Sequence, residues 1–241
     1  MFTVAGTILA ILVLIASRPD TSTPPVASAG RSADATSPSA SLAPPPTIRA
    51  TPPSALAAML AALVVTPEHR EGYDRELFPH WTDDDGDGCN TRYEVLLAEA
   101  VAPPSIAGSC DLTGGTWLSP YDGQMIDGAA GVQIDHVVAL AEAWYSGADT
   151  WTTERRERFA NDLDTPLALV TVSPETNEAK GADDPAEWVP PRASAVCPYV
   201  EAWIAVKYRW RLAIDAAEHE ALERLVARCP RSPLPLASVV P

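Results

Sequence analysis

The fold is decided by Val132-Gln133-Ile134-Asp135-His136-Val137-Val138-Ala139-Leu140 and by a downstream complement, Leu167 to Val172 followed by Ser173-Pro174-Glu175-Thr176-Asn177-Glu178-Ala179-Lys180-Gly181. Both apolar runs have the length and β-branched content of strands. Strict alternation sends Asp135 and His136 to opposite faces, so both reach one ligand only if the strand ends or twists at that pair. Ser173-Pro174 reads as a cap with proline at the first helical position, and Gly181 stands where the helix would stop. Asn177 and Lys180, three apart, then share one face of a short helix. The pattern predicts strand, strand, helix.

These side chains suggest a chemistry. A carboxylate, an imidazole, a carboxamide and a lysine are the groups needed to hold a divalent metal against a phosphodiester and to deprotonate a water beside it. An Asp-His pair alone reads more simply as a hydrogen-bonded structural histidine. The Asn-x-x-Lys half favours a metal-dependent nuclease core over 132–181.

The 241 residues leave room for one sizeable domain and a tail. Phe2 to Ala16 is an apolar run of signal-peptide length, short for a full membrane span. Ala27-Ser28-Ala29 has the small-x-small form of a cleavage site, although no Lys or Arg precedes the run. Residues 1–29 are therefore expected to be a signal peptide or N-terminal anchor, which makes the protein secreted or tethered to the outer face of the membrane. Nine of the 24 prolines fall between Pro19 and Pro53, in an Ala/Ser/Thr/Pro segment too poor in large apolar side chains to fold. Residues 30–53 read as a linker, 54–231 as the folded domain and 232–241 as a tail. The domain is expected to be monomeric, with no stable membrane contact.

Four cysteines without a close C-x-x-C pair fit two disulfides in an exported protein. Cys197 opens a helical pattern through Val200, Trp203, Ile204 and Trp210, and Cys229 closes the next, through Leu222, Leu225 and Val226. Asp215 and Glu218 have capping-box spacing, which starts the second helix near Ala216. In an antiparallel hairpin over 196–229 the start of one helix meets the end of the other, so Cys197 should pair with Cys229. Cys89 and Cys110 flank the pattern Tyr93 to Ala100 and should pair with each other. Loops of this size are worth about 3 to 4 kcal/mol each in the chain-entropy model.

Asp83-Asp84-Asp85-Gly86-Asp87-Gly88-Cys89-Asn90-Thr91-Arg92-Tyr93-Glu94 matches the EF-hand loop at its demanding places: Asp83, Asp85 and Asp87 at one, three and five, Gly88 at six, Glu94 at twelve. Asn90 stands where an aliphatic residue belongs, and there is no clear partner loop. The loop is a candidate Ca²⁺ site; otherwise its carboxylates cap the following helix and pair with Arg92.

Charge opposes a nucleic-acid substrate. The chain carries 32 acidic against 17 basic residues, and polyanion-binding proteins usually show a basic footprint. The excess is uneven: 54–134 has 13 acids to 3 bases and 135–191 has 12 to 4, whereas 192–241 has 5 to 7. Lys207, Arg209, Arg211, Arg224 and Arg228 on the helical hairpin are the expected seat for a phosphate backbone, unless they are ordinary solvated helix faces.

The chain resembles the HNH, or His-Me finger, nucleases, most closely the secreted bacterial family related to the C-terminal domain of GmrSD-type modification-dependent restriction enzymes. The resemblance rests on Ile134-Asp135-His136-Val137-Val138-Ala139-Leu140, Phe159-Ala160-Asn161-Asp162-Leu163, Asn177-Glu178-Ala179-Lys180-Gly181 and Asp184-Pro185-Ala186-Glu187-Trp188, and extends upstream through Asp85-Gly86-Asp87-Gly88-Cys89 and Tyr73-Asp74-Arg75 and downstream through Cys197-Pro198-Tyr199 to Lys207. It implies an α+β fold, with a ββα-metal (HNH, His-Me finger) core embedded in a mainly helical domain stapled by two disulfides. It also implies an exported endonuclease acting on DNA or RNA. His136 stands at the general base, Asp135 and Asn177 at the ligands of one Mg²⁺ or Mn²⁺, and Lys180 at the basic residue closing the motif. Asn161 is the nearest match to the loop-bracing asparagine, with Asp162 as the alternative. The competing class is a non-enzymatic exported Ca²⁺-binding scaffold with an HNH-like fold.

Overall fold

The computed structural model describes residues 54–229. The expected signal or anchor (1–29), the linker (30–53) and the tail from 230 onward lie outside the described residues.

Ser54 accepts a hydrogen bond from the Ala57 amide and starts α1 (Ala55–Ala61), which packs Leu56 and Leu60 inward. The helix ends at Ala61, and Val64 and Thr66 exchange backbone bonds with Ile214 instead. Helix α2 (Thr91–Glu99) is capped by Asn90, whose side chain accepts the Tyr93 amide at 3.2 Å. Two small antiparallel hairpins follow: β1 (Ser105–Ala107) with β2 (Asp111–Thr113), and β3 (Thr116–Leu118) with β4 (Met125–Asp127). Trp117 of β3 is fully buried and donates its indole N–H to Leu96 O at 2.7 Å.

Strand β5 (Gln133–His136) pairs antiparallel with β6 (Leu169–Val172), placing Asp135 opposite Val170 and His136 opposite Leu169. The apolar residues after His136 do not extend the strand; α3 (Leu140–Tyr145) begins there, and α4 (Thr153–Ala160) follows. Helix α5 (Pro174–Lys180) follows β6 after one residue, capped by Ser173, and ends at Gly181 with φ 54°. It packs on β5. Glu99, at the end of α2, accepts both the amide and the hydroxyl of Thr171 at 2.7 Å, which ties β6 to the rest of the domain.

Helix α6 (Ala193–Trp210) starts four residues before Cys197, with Pro198 still in its early turns, and α7 (Ala216–Val226) returns beside it. Both pack on α1. Trp203, Ile204, Leu212, Ile214 and Leu222 fill the core between them. Cys197 is bonded to Cys229 and Cys89 to Cys110, with Cα atoms 5.5 and 5.1 Å apart. Asp215 caps α7 through the Glu218 amide, but Glu218 does not complete a capping box. Its carboxylate turns inward to the Trp203 indole at 2.5 Å and to Lys207 at 2.7 Å. The fold is thus α+β with two disulfides. Among the described residues no helix is long and apolar enough to cross a membrane.

Candidate active site

Strand alternation holds to the last residue of β5, so Asp135 and His136 look in different directions. Asp135 and Gln133 meet α5. Lys180 Nζ donates to Asp135 Oδ1 at 2.8 Å and to the His136 carbonyl at 3.0 Å, and Tyr121 donates its hydroxyl to Asp135 Oδ2 at 2.8 Å. Lys180 is fully buried and Asp135 nearly so. Burial pushes the Asp135 carboxyl up, opposed by Lys180 and Tyr121. Burial, with the Asp135 charge, holds the Tyr121 hydroxyl well above its ordinary range. Asn177, half-buried, donates its amide to Gln133 Oε1 at 2.6 Å.

His136 packs toward the other side. Its Nε2 lies 2.8 Å from the Ala160 carbonyl, which fixes the proton on Nε2 and leaves Nδ1 with its lone pair and no hydrogen-bond partner among the described residues. Trp81 lies against the imidazole with ring centroids 5.5 Å apart, and His80 packs edge-on against Trp81 at 5.6 Å. The imidazole is 6% exposed. Burial drives its pKa down to about 3, and the charges of Arg75, His80 and Lys180 push the same way against the Ala160 carbonyl. The ring is neutral at any ordinary pH.

Asn161 follows the residue that holds His136. Its Nδ2 donates to Pro79 O at 2.9 Å and Glu157 O at 2.8 Å, and its Oδ1 accepts from the Thr82 amide at 3.1 Å and the Thr91 hydroxyl at 2.9 Å. One carboxamide with all these bonds made ties the segment carrying His80 and Trp81 to the ends of α4 and α2. Asp162 instead accepts from Arg209 at 2.9 Å and the Trp210 indole at 2.8 Å.

A divalent metal does not fit Asp135 and Asn177 as they stand. Both Asp135 oxygens are held, the buried ammonium of Lys180 already neutralises the carboxylate, and Asn177 is turned to Gln133. His136 lies on the opposite face. The acidic loop is a better donor set: oxygens of Asp83, Asp85 and Asp87 lie within 4.8 Å of one another, and all three residues are exposed. Asp83 accepts the Gly86 and Gly88 amides at 2.9 and 3.1 Å, and Asp87 accepts the Cys89 amide at 2.7 Å, which curls the carboxylates inward. Gly86 and Gly88, at φ 73° and 95°, supply the backbone this turn needs. Glu94 is close enough for the charges of Asp85, Asp87 and Asp83 to add to burial in raising its carboxyl pKa. The simpler reading of the loop is corrected: Asn90 caps α2, and Arg92 donates to the carbonyls of Ala129 and Val132.

The expected basic seat is narrowed: Lys207 is fully buried, with Nζ 2.6 Å from Glu142 and 2.7 Å from Glu218, and Arg209 pairs with Asp162 and Asp164, whereas Arg211, Arg224 and Arg228 are exposed. A cleft of about 590 Å³ runs past Thr82, Asp85, Glu94, Arg158, Asp162 and Arg209; His136 does not line it, and its acidic wall suits no phosphate. Two residues at the site escaped the sequence reading. Gln133 was accessible from two-residue alternation with Asp135; Tyr121, on a turn 14 residues from its partner, carried no signal.

Residues 110–225 match the family model of the C-terminal domain of GmrSD restriction endonucleases. A protein of Arthroderma benhamiae described as an uncharacterized secreted protein is 44% identical over 172 residues, covering 71% of this chain and 83% of that protein. It is fungal, so the likeness is not confined to bacterial proteins. No solved structure matches the chain. With its paired cysteines the chain is consistent with export, as that relative is secreted. On the matched residues and this shared length, the chain belongs to the family of the GmrSD restriction endonuclease C-terminal domain.

Proposed function

We propose that the chain is an exported HNH-type endonuclease that hydrolyses phosphodiester bonds in nucleic acid, DNA first, with His136 as general base. The observation that carries this is the held imidazole: Ala160 O accepts the hydrogen bond from Nε2–H, which leaves Nδ1 as the neutral base. Its low pKa is set by burial, and an incoming phosphodiester anion offsets that cost, raising the basicity toward the working range. Nδ1 would take a proton from the attacking water. Lys180 holds the end of β5 through Asp135 and the His136 carbonyl, and is a positioning residue rather than one that touches substrate. Asn161 braces the segment that packs Trp81 on His136. Ca²⁺ on Asp83, Asp85, Asp87 and Glu94 would stiffen the loop between Trp81 and α2.

A second reading, an inactive exported Ca²⁺-binding scaffold, is favoured by the closed Asp135–Lys180 pair and the cover over His136. Digestion of plasmid and RNA by the full chain with disulfides intact separates the two. It is run in Mg²⁺, Mn²⁺ or EDTA, with His136→Ala alongside. Cleavage reduced at least about a hundredfold in the variant, the usual size of a general-base effect, supports the nuclease. Equal cleavage by a folded variant, or none by the wild type under any of these conditions, rejects it. Cleavage that persists in EDTA would match the Lys180-held Asp135, whereas loss in EDTA would require Asp135 and Asn177 to rearrange onto a metal.

A further inference from the structure

We infer that Glu68, Asp184 and Asp215 form a binding site for a hard divalent cation, Ca²⁺ in an exported setting, which clamps three chain segments together and shares no residue with the His136 site or the Asp83–Glu94 loop. Glu68 lies on the extended segment after α1, Asp184 in the turn after α5, and Asp215 at the cap of α7. One carboxylate oxygen from each lies within 4.8 Å of the other two. Oxygens bound to one Ca²⁺ at about 2.3 to 2.6 Å stand no farther apart than about 5 Å, so this spacing suits a shared ion.

Repulsion in such a cluster has to be answered, and the protein answers little of it. The Glu68 side chain is 10% exposed; Arg70 holds its Oε2, while its Oε1 is buried without a hydrogen-bond partner. Asp184 is 4% exposed, and its side chain's bond is to the Ala186 amide, at 2.5 Å on Oδ1. Asp215 spends Oδ1 on the Glu218 amide at 2.8 Å. Neither aspartate is in an ion pair among the described residues. Arg70 is mostly exposed, and the nearby Lys207 has Nζ committed to Glu142 and Glu218. A buried carboxylate oxygen with no partner costs stability unless something positive meets it. Burial raises the Asp184 carboxyl pKa and the charges of Asp215 and Glu68 add to it, against the Ala186 amide and the charge of Lys207. An all-oxygen, carboxylate-rich set selects a hard cation over zinc or copper. The Glu68 segment is already stitched to the core by Thr66 N to Ile214 O at 2.9 Å and His69 N to Tyr145 O at 3.0 Å, so an ion here would lock that strap to α7 and to the turn after α5.

The test uses the full chain, stripped by chelation, with the acidic loop disabled by Asp83→Asn, Asp85→Asn and Asp87→Asn. Melting is followed in EDTA and in CaCl₂, and binding of Ca²⁺ alone by calorimetry. The loop-disabled protein should still bind one equivalent and gain about 5 to 10 °C once free Ca²⁺ is about 100-fold above Kd. Adding Asp184→Asn, which keeps the acceptor for the Ala186 amide, should abolish both effects, yet leave melting in EDTA no lower than before because a repulsive charge is gone. Glu68→Gln, at a less buried position, should do the same if the Asp184 variant folds poorly. No Ca²⁺ response in the loop-disabled protein overturns the site. So does a loss of stability from these substitutions that is equal in EDTA and in Ca²⁺, since that marks a purely structural role.

Discussion

Lys180 Nζ sits 2.8 Å from Asp135 Oδ1 with both side chains out of water, a helix-to-strand ion pair at the centre of the candidate site. Removing one partner of such a pair leaves the other charged and buried, which costs about 3 to 5 kcal/mol. Lys180→Ala should therefore lower unfolding free energy by about that amount in urea. A loss under about 1 kcal/mol, the range of a surface pair, would show that the pair does not anchor α5 on β5.

His136 carries a pH signature that separates its burial from everything else in the domain. Its folded pKa is near 3 and its unfolded value near 6.5, so between those limits the unfolded chain binds a proton that the folded chain refuses. Stability from this residue is full above about pH 6.5 and falls with pH, at most about 1.4 kcal/mol per unit, down to about pH 3. Glu218, pushed up to about 7 mainly by burial, contributes the opposite slope between 4.5 and 7. The two partly cancel in the wild type. The difference between wild type and His136→Gln removes Glu218 from the comparison: the variant should lose less stability on acidification from pH 6.5 to 4.5. Parallel curves for the two proteins would mean that His136 titrates in the folded state.

Much of the site was readable because local rules and tertiary packing agree there. Ser173-Pro174 and Gly181 place α5 within a residue, whereas two-residue alternation persists through His136, so the twist expected to bring Asp135 and His136 onto one ligand is not found. The Cys197–Cys229 pair followed from helix ends that must meet, and Cys89–Cys110 from the two cysteines flanking one helical pattern. What could not be read were partners fixed by distant packing: Tyr121 on Asp135, Ala160 on His136, and the Glu142–Lys207–Glu218 cluster, whose lysine looks like a surface cation in helical projection and is fully buried. Two carboxylates brought 65 and 11 residues to one ammonium leave no periodic trace.

Trp81 has φ 61°, a left-handed backbone rarely adopted by bulky residues, and its ring lies on His136. Strain of about 1 to 3 kcal/mol held in such a conformation persists where the surroundings demand it, and here Asn161 ties the adjoining Thr82 and Pro79 in place. Trp81→Gly removes the strain and the cover together. Modification of His136 by diethyl pyrocarbonate, mapped by mass spectrometry, should be faster in this variant than in wild type. An unchanged rate would mean that the indole does not control access to the imidazole.

With Lys207 and Arg209 engaged inside the protein and a net charge of −15, the remaining exposed arginines meet a polyanion against an acidic excess. Each neutralised phosphate on duplex DNA contributes about 0.9 to the slope of log K against log salt. Binding of His136→Ala to a short duplex, which avoids turnover, should therefore show a shallow slope of magnitude no greater than about 3 when measured by anisotropy across 50 to 200 mM salt. Affinity of that kind comes from short-range contacts at the His136 site, so Arg211→Ala and Arg228→Ala, exposed on the hairpin, should leave it nearly unchanged. A slope steeper than about −5 that collapses in those two variants would restore the hairpin as the phosphate seat and move the substrate path away from the face that carries Trp81.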